Sequence, residues 1–408
     1  MGAAPLGAAR LALLPLGRAD VPGLVGQRTG AAGVKRKVMI ALNAAWNLAN
    51  FRAGLIRALV DAGFDVVAVA PRDEYADGLA ALGCRYAELP MDNMGTHPGR
   101  DLLLLWRFHR LLRRERPDVL LAYTIKPNVY GSLAAHALGI PVVNNIAGLG
   151  TAFHQETWLT RVVRRLYRLA LQRSHRVFFQ NDEDRDAFVG RALVRPQQAA
   201  RLPGSGVDLG RFSPVPPPRQ PAAFRFLLIG RLLWDKGVGE YVEAARILRQ
   251  RFPHAEFALL GFLNTLNRTA ISREQVEAWQ REGLVRYLGE SDDVRQHIAD
   301  AHCVVLPSYR EGVPRALLEA AAMARPVITT DAPGCRDAVD AGCSGLLCQV
   351  RDATSLADSM ATMLSLSEPE RLAMGQRGRE KMEREFDERV VIDRYLSTLR
   401  EITRAAPG

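Results

Sequence analysis

Short apolar runs punctuate the chain, and each is followed by a longer stretch in which apolar residues return every three or four positions. Runs at 38–42, 64–70, 118–123, 141–146 and 176–180 alternate with helical patterns at 50–63, 75–83, 101–114, 131–139 and 158–172, and a short helix begins at Asp182. Continuous apolar runs of this length predict strands buried on both faces. Their alternation with amphipathic helices predicts a doubly wound parallel sheet. The pattern breaks at SPVPPPRQP, residues 213–221, whose prolines suit an interdomain linker. A second series follows, with strands at 224–230, 256–262, 285–289, 303–307 and 326–330 and helices at 238–251, 317–324 and 354–365. The chain therefore reads as α/β, with two Rossmann-like units at 35–212 and 222–379 and a charged helical stretch at 380–404. Residues 1–34, rich in Ala, Gly, Pro and Leu without a period, are expected to be a disordered leader or a start assigned too far upstream. Val34 and Met39 are the candidate starts.

At 408 residues and 48% hydrophobic content, the chain exceeds what one core holds and has apolar side chains for two. Its formal net charge of +10 asks for an anionic partner. Arginines crowd into 107–116 and 158–176. In the second stretch Leu159, Val162, Val163, Leu166 and Leu169 form one helical face, with Arg161, Arg164, Arg165 and Arg168 beside it. Such a helix docks on anionic headgroups; the same pattern also suits a core-facing helix with a solvated basic side. Nucleic acid is set aside as a partner, because no aromatic residues are interleaved with the basic ones and no recognised module is present. Five cysteines, Cys84, Cys303, Cys335, Cys343 and Cys348, form no C-x-x-C pair and are odd in number. That argues against a disulfide framework or a zinc site and suits a reducing cytoplasm. No apolar run approaches the roughly 18 residues needed to span a bilayer, so membrane contact is expected to be peripheral.

Two segments carry candidate chemistry. The run YREGVPRALLEAAAMARPVITTD, residues 309–331, places Glu311 before a helix and Glu319 about a turn and a half inside it, with Pro314 expected at the first helical position. Glu319 is placed to accept two hydrogen bonds from a ribose diol, and Glu311 to accept from the hydroxyls of a sugar ring. The helix mouth between them, with Gly312, Val313 and Pro314, favours an anion. Upstream, the turn after the strand at 226–229 holds Gly230, Arg231 and Lys236. Fixed cations at such a turn stabilise a nucleoside diphosphate leaving group as the glycosidic bond breaks.

These residues are where the chain resembles a family. The E-x7-E motif from Glu311 to Glu319, the G-R-x4-K element from Gly230 to Lys236 and PGSGVDLGRFSP at 203–214 are similar to the retaining glycosyltransferases of family 4, which have the two-domain GT-B fold. The stretches NAAWNLANFRAGLIRAL (43–59), LPMDNMGTHPGRDL (89–102), YTIKPNVYGSLAA (123–135) and NNIAGLGTAF (144–153) resemble members that build capsule, O-antigen or glycoprotein glycans on a polyprenyl diphosphate. The resemblance runs from about Lys37 to Leu399. It implies a UDP-sugar donor on the second unit, a polyprenyl-diphosphate glycan acceptor on the first, no cofactor and no metal, and a final helix that returns to the first unit.

Donor contacts are accordingly expected at Gly230, Arg231, Lys236, Gly261, Phe262, Glu311, Gly312, Val313, Pro314 and Glu319, with Gly289 near the base. Glu311, Lys236 and Arg231 are the catalytic candidates. The acceptor is expected near Asn43, Trp46 and Asn47 after the first strand, and near Tyr123, Lys126 and Asn128 after the strand at 118–123. Many members carry an H-x-H pair where this chain has Leu121 and Tyr123, so no catalytic histidine is carried over. NAAWN likewise replaces the Gly-rich first turn of many members. The expected activity is transfer of a hexose or N-acetylhexosamine, with retention, to a lipid-linked glycan at the inner face of the plasma membrane. The alternatives are a nucleotide-sugar 2-epimerase on the same fold and a binding subunit without catalysis.

Overall fold

The computed structural model describes residues 35–92, 97–148, 158–216, 223–263, 267 and 269–405. The expected leader, the end of the NNIAGLGTAF stretch and residues 217–221 of the expected linker lie outside the described residues. Seven parallel strands form one sheet: β1 (Lys37–Ala41), β2 (Asp65–Ala70), β3 (Arg85–Glu88), β4 (Val119–Tyr123), β5 (Val142–Ile146), β6 (Arg176–Phe179) and β7 (Ala199–Arg201), in the order β3-β2-β1-β4-β5-β6-β7. Six more form a second: β8 (Phe224–Ile229), β9 (Ala255–Leu260), β10 (Arg286–Tyr287), β11 (Cys303–Leu306), β12 (Val327–Thr330) and β13 (Gly345–Cys348), in the order β10-β9-β8-β11-β12-β13. Counted from its own first strand, each sheet runs third, second, first, fourth, fifth, sixth. Winding reverses between the first and fourth strands, which opens a crevice beyond the carboxyl ends of β1 and β4 and of β8 and β11.

The central strands are the expected apolar runs, buried on both faces. Three edge or near-edge strands depart from the expectation. β3 reads RYAE and lies half exposed at a sheet edge, β7 is a short AAR, and β13 starts on Gly345, where an added Cβ would sit 2.6 Å from the Val327 carbonyl oxygen. Edges take charge and tolerate a glycine, so no apolar run marks them.

Helices α1 (Ala45–Phe51), α2 (Ala53–Asp61), α3 (Pro98–Glu115), α4 (Ser132–Ala137), α5 (Trp158–Leu171) and α6 (Asp182–Gly190) cover the first sheet, and the expected helix at 75–83 is a 3-10 turn, Asp77–Leu82. The single helix expected at 50–63 is split at Arg52, whose φ of −131° is not helical. Around the second sheet lie α7 (Val238–Arg249), α8 (Arg273–Arg281), α9 (Arg295–Ala299), α10 (Arg315–Ala322), α11 (Ala353–Ser365) and α12 (Glu368–Lys381). The charged stretch expected from residue 380 starts earlier, at α12, behind a capping box of Ser367 and Glu370. It breaks near Asp387 and continues as α13 (Glu388–Ala405). At the break the Val207 amide donates to the Phe386 carbonyl (2.8 Å) and the Glu388 amide to the Val207 carbonyl (3.1 Å). Beyond it Val391, Tyr395, Leu399 and Ile402 are buried in the first sheet's core beside Val38, Leu121 and Phe178. The final helix thus closes the chain back onto the sheet it started from.

Candidate functional site

The site grows from the winding reversal of the second sheet. After β8 the chain turns at Gly230 and runs through a 3-10 turn, Trp234–Lys236, to Gly237 at φ +72°. A Cβ on Gly237 would collide with the Pro307 carbonyl, so glycine lets this loop lie against the loop that follows β11. Two further bonds hold it: the Tyr309 amide donates to the Asp235 carbonyl (3.0 Å), and the Trp234 amide donates to the Thr269 carbonyl (2.8 Å). The docking brings the Lys236 ammonium onto Glu311 Oε1 as an ion pair, both side chains largely sheltered at 21% and 14% exposed. Arg231 extends from the same turn, exposed, with no ion pair among the described residues. The loops after two strands that flank the reversal therefore bring a cation and a carboxylate together, and the first of these loops carries a second cation.

Glu319 is in α10, as expected, although Pro314 is the residue before the helix and not its first turn. Its Oε1 accepts from Arg315 Nε (3.0 Å) and Nη2 (2.8 Å), one turn earlier. Arg315 also donates to the Asn50 carbonyl (3.4 Å) and the Ser205 hydroxyl (3.5 Å), and its guanidinium lies 4.9 Å above the Phe51 ring. Phe51 packs edge-on against Trp46 (5.0 Å between centroids), and Trp46 against Phe262 (5.8 Å). An aromatic line thus runs from Glu319 through the first sheet's loops to Phe262 at the end of β9. Gly261 has a packing reason: at φ +143°, a Cβ there would collide with Gly230. Its amide donates to the Gly289 carbonyl (2.9 Å), so the two glycines meet at neighbouring strand ends.

The acceptor-side candidates divide. Asn43, Trp46 and Asn47 are half-buried at the end of β1, with Asn47 Nδ2 donating to Asn43 Oδ1 (3.0 Å). Lys126 pairs with Asp101 (2.9 Å) and lines a cavity of about 510 Å³ with Arg72, Arg100 and Arg107. Tyr123 and Asn128 need correction. Tyr123 is buried beneath the Arg52 guanidinium (4.4 Å) and beside Tyr395 of α13, and burial pushes its hydroxyl pKa well up. Asn128 is 1% exposed and spends its amide on the core, donating to the Asn145 carbonyl (2.9 Å) and accepting from Asn144 Nδ2 (2.9 Å). A polar residue at a strand end points to a crevice only when nothing folds over it, and here the last helix does.

The sequence reading missed the residues that tie the two sheets together. Asn181 Nδ2 donates to the carbonyls of Glu311 (3.2 Å) and Gly312 (3.1 Å), and the Val313 amide donates to Gln180 Oε1 (3.1 Å). Arg310 pairs with Asp184, Arg336 with Glu183 (3.2 Å) and Arg201 with Asp337 (3.3 Å). At the rim the Tyr75 hydroxyl donates to Asp292. The only local signal was the pair of adjacent carboxamides straight after a buried strand. Among the described residues no group of three or more His, Cys, Asp or Glu could hold a metal ion, and the five cysteines are free.

Two parallel sheets wound in this order are the frame of the GT-B class of glycosyltransferases. The family comparison agrees over both halves: the model "Glycosyl transferase 4-like domain" matches residues 48–205 and "Glycosyl transferases group 1" matches 223–366. The chain belongs to the family 4 glycosyltransferases. It is similar to the N,N'-diacetylbacillosaminyl-diphospho-undecaprenol alpha-1,3-N-acetylgalactosaminyltransferase of Campylobacter jejuni, 26% identical over 85% of this chain and 94% of that one. It is also similar to an Escherichia coli UDP-Gal:alpha-D-GlcNAc-diphosphoundecaprenol alpha-1,3-galactosyltransferase, 24% identical over 64% of this chain and 70% of that one. Among solved structures, the sucrose-phosphate synthase of Thermosynechococcus elongatus superposes with a TM-score of 0.76 at 18% identity, covering 91% of this chain and all of that one. Anabaena HepE in complex with UDP and glucose gives 0.72 at 17%, covering 90% and 99%. Both structural likenesses speak for the fold.

Proposed function

We propose that this chain transfers a hexose or N-acetylhexosamine from a UDP-sugar, with retention, to a sugar carried on polyprenyl diphosphate, in the assembly of a cell-surface polysaccharide or glycan. The observation that carries the reading is the Lys236–Glu311 pair at the reversal point of the second sheet, with Arg231 exposed on the same turn as Lys236. When the donor enters, its diphosphate takes the ammonium and guanidinium, and Glu311 is released to accept from sugar hydroxyls. Gly312, Val313 and Pro314 offer the loop along which the donor lies, and Glu319 reaches the ribose once Arg315 yields. The anomeric C–O bond breaks with its electrons passing to the phosphate oxygen, and the acceptor hydroxyl attacks from the same face. Its proton goes to the departing phosphate, so no side-chain nucleophile is needed. Arg231 and Lys236 then stabilise the charge that develops on the leaving group, the service a metal ion performs in other transferases.

The relatives named above act on undecaprenyl-diphosphate sugars, which supports a lipid-linked acceptor here. No helix among the described residues is long and apolar enough to cross a membrane. Two helices offer a peripheral contact with an anionic surface. On α3, Leu102, Leu103 and Trp106 are exposed (68%, 43% and 54%) ahead of Arg110, Arg113 and Arg114. On α5, the expected apolar face is divided: Val163 and Leu166 turn to the core, while Val162 and Leu169 stand outside among Arg161, Arg165 and Arg168. Both helices pack against the segment 127–137, which sets them on one face of the sheet. Apolar side chains set in a basic field suit the headgroup layer, and we place the enzyme at the inner face of the plasma membrane on that ground.

The test is to incubate the purified protein with single UDP-sugars and a membrane lipid extract and weigh the lipid products by mass spectrometry. A lipid gaining one sugar from one donor is expected. A donor epimerised or hydrolysed with no lipid product would favour the 2-epimerase instead.

A further inference from the structure

The backbone that carries Glu311 is gripped from the opposite sheet. Asn181, wholly buried at the start of α6, holds the carbonyls of residues 311 and 312, and Gln180, 6% exposed, holds the amide of residue 313. Behind this pair stands a line of buried amides. Gln180 Nε2 donates to Asn145 Oδ1 (3.4 Å), and Asn145 Nδ2 donates to the Tyr395 hydroxyl (3.1 Å). The Asn145 carbonyl accepts from Asn128, which accepts from Asn144, which in turn donates to the Ser132 hydroxyl (2.9 Å). Each member loses a partner if its neighbour turns, at a cost of about 1–3 kcal/mol per buried group left unpaired, so the line holds Gln180 in one orientation. On its other side the gripped backbone rests on Gly334, where a Cβ would collide with the carbonyls of residues 311 and 312. A Cβ on Gly312 would collide with Gln180 Oε1 and lie 2.6 Å from the Ala147 carbonyl oxygen. The segment is thus pressed between two walls: the Glu311 amide donates to the Pro333 carbonyl (3.1 Å) on the second sheet's side, and Gln180 and Asn181 hold it from the first.

We propose that Gln180 and Asn181 are positioning residues for the transfer reaction: the first sheet aims the Glu311 carboxylate at the donor sugar held by the second. The inference rests on the proposed function, since it takes Glu311 as the group that meets the sugar. It adds that the acceptor-side sheet completes the donor site through main-chain hydrogen bonds. The nucleotide, gripped by the second sheet's own Arg231 and Lys236, depends on it much less.

Two variants separate aiming from mere support. Asn181→Asp keeps the cap of α6, in which Oδ1 accepts from the Asp184 amide (2.8 Å), but turns an acceptor toward two carbonyls. Gln180→Met keeps the volume and removes the bond to residue 313. Turnover on lipid acceptor, UDP affinity by calorimetry and melting temperature are measured together. The expected result is a fall in kcat of about 10- to 100-fold in both variants, with UDP affinity within about threefold of the parent, as misplaced reacting groups require. A folded variant with parental kcat overturns the proposal. So does a fall in kcat that is matched by equal losses of UDP affinity and thermal stability, which marks a structural prop. A parent protein that neither binds UDP nor transfers sugar overturns the functional reading and this inference with it, a pattern distinct from an active parent with unaffected variants.

Discussion

The two sheets share one strand order, yet their reversal points are furnished differently. In the second sheet the loops after β8 and β11 meet as an ion pair, Lys236 with Glu311, and Arg231 extends free of ion pairs among the described residues. In the first, the loop after β1 and the first turn of α1 offer the neutral amides of Asn43 and Asn47 beside Trp46, while Lys126, after β4, turns away to Asp101 on α3. In the proposed function the first of these crevices neutralises a diphosphate and the other faces a neutral, hydroxyl-rich partner. Topology provides the place for a ligand; the few residues in two loops decide its charge.

The sharpest way to break this contrast is to remove the pair itself. Lys236→Ala and Glu311→Ala should each lower transfer by about 100- to 1,000-fold, the scale of deleting one preorganised electrostatic contact, with far-UV dichroism and melting little changed. Radiolabelled transfer to lipid reads the effect, and near-parental rates in either variant would dissolve the assignment. Next in size is Gly312→Ala, whose new methyl meets Gln180 Oε1 and the Ala147 carbonyl. It should cost about 1–3 kcal/mol of stability as an overpacked site does, and raise hydrogen exchange around 310–313 and 180–181 while the interior of the second sheet stays protected. Lys126→Ala should act on one side of the comparison only, raising the KM for lipid acceptor by several-fold (roughly 1 kcal/mol of lost interaction) and leaving the KM for donor alone. An equal rise in both would merge the two crevices into one site. A last effect, read in stability alone, concerns the crossover between the sheets. Burial, helped by Asp208 and Asp387 and opposed by Arg315 and Arg57, lifts the Glu388 carboxyl from its ordinary 4.5 to about 7. The folded chain then keeps a proton that the unfolded chain has released. Its stabilising contribution is complete below about 4.5 and is lost as the pH rises through 7. Melting temperature should fall from pH 5 to pH 8 in the parent, and less steeply in Glu388→Gln.

Much of the fold could be read from the chain because parallel strands buried on both faces are continuous apolar runs, as in VLLAY and CVVL. The strands that escaped, RYAE, AAR and GLLC, lie at or near edges, where half-exposure removes the pattern. The placement of Lys236, Glu311 and Glu319 was readable for a related reason: they lie in short local segments whose turn and helix signals locate them unaided. The contacts of Gln180 and Asn181 join segments about as far apart as the sheets themselves. In sequence Asn181 looks like nothing more than a helix cap, which it also is. Tyr123 and Asn128 were misplaced for the converse reason. Their neighbourhood is completed by Tyr395 and by the amides of β5, and no local pattern announces a helix that returns from the far end of the chain.

The bonds by which Gln180 and Asn181 hold the Glu311 loop end on its peptide atoms, so they are indifferent to which side chain residue 311 bears. Exchanging that carboxylate for an amide leaves the closed mould standing while stilling its chemistry. A Glu311→Gln protein is therefore a natural bait: a form that gathers donor and lipid together and holds them, unreacted, long enough to be seen.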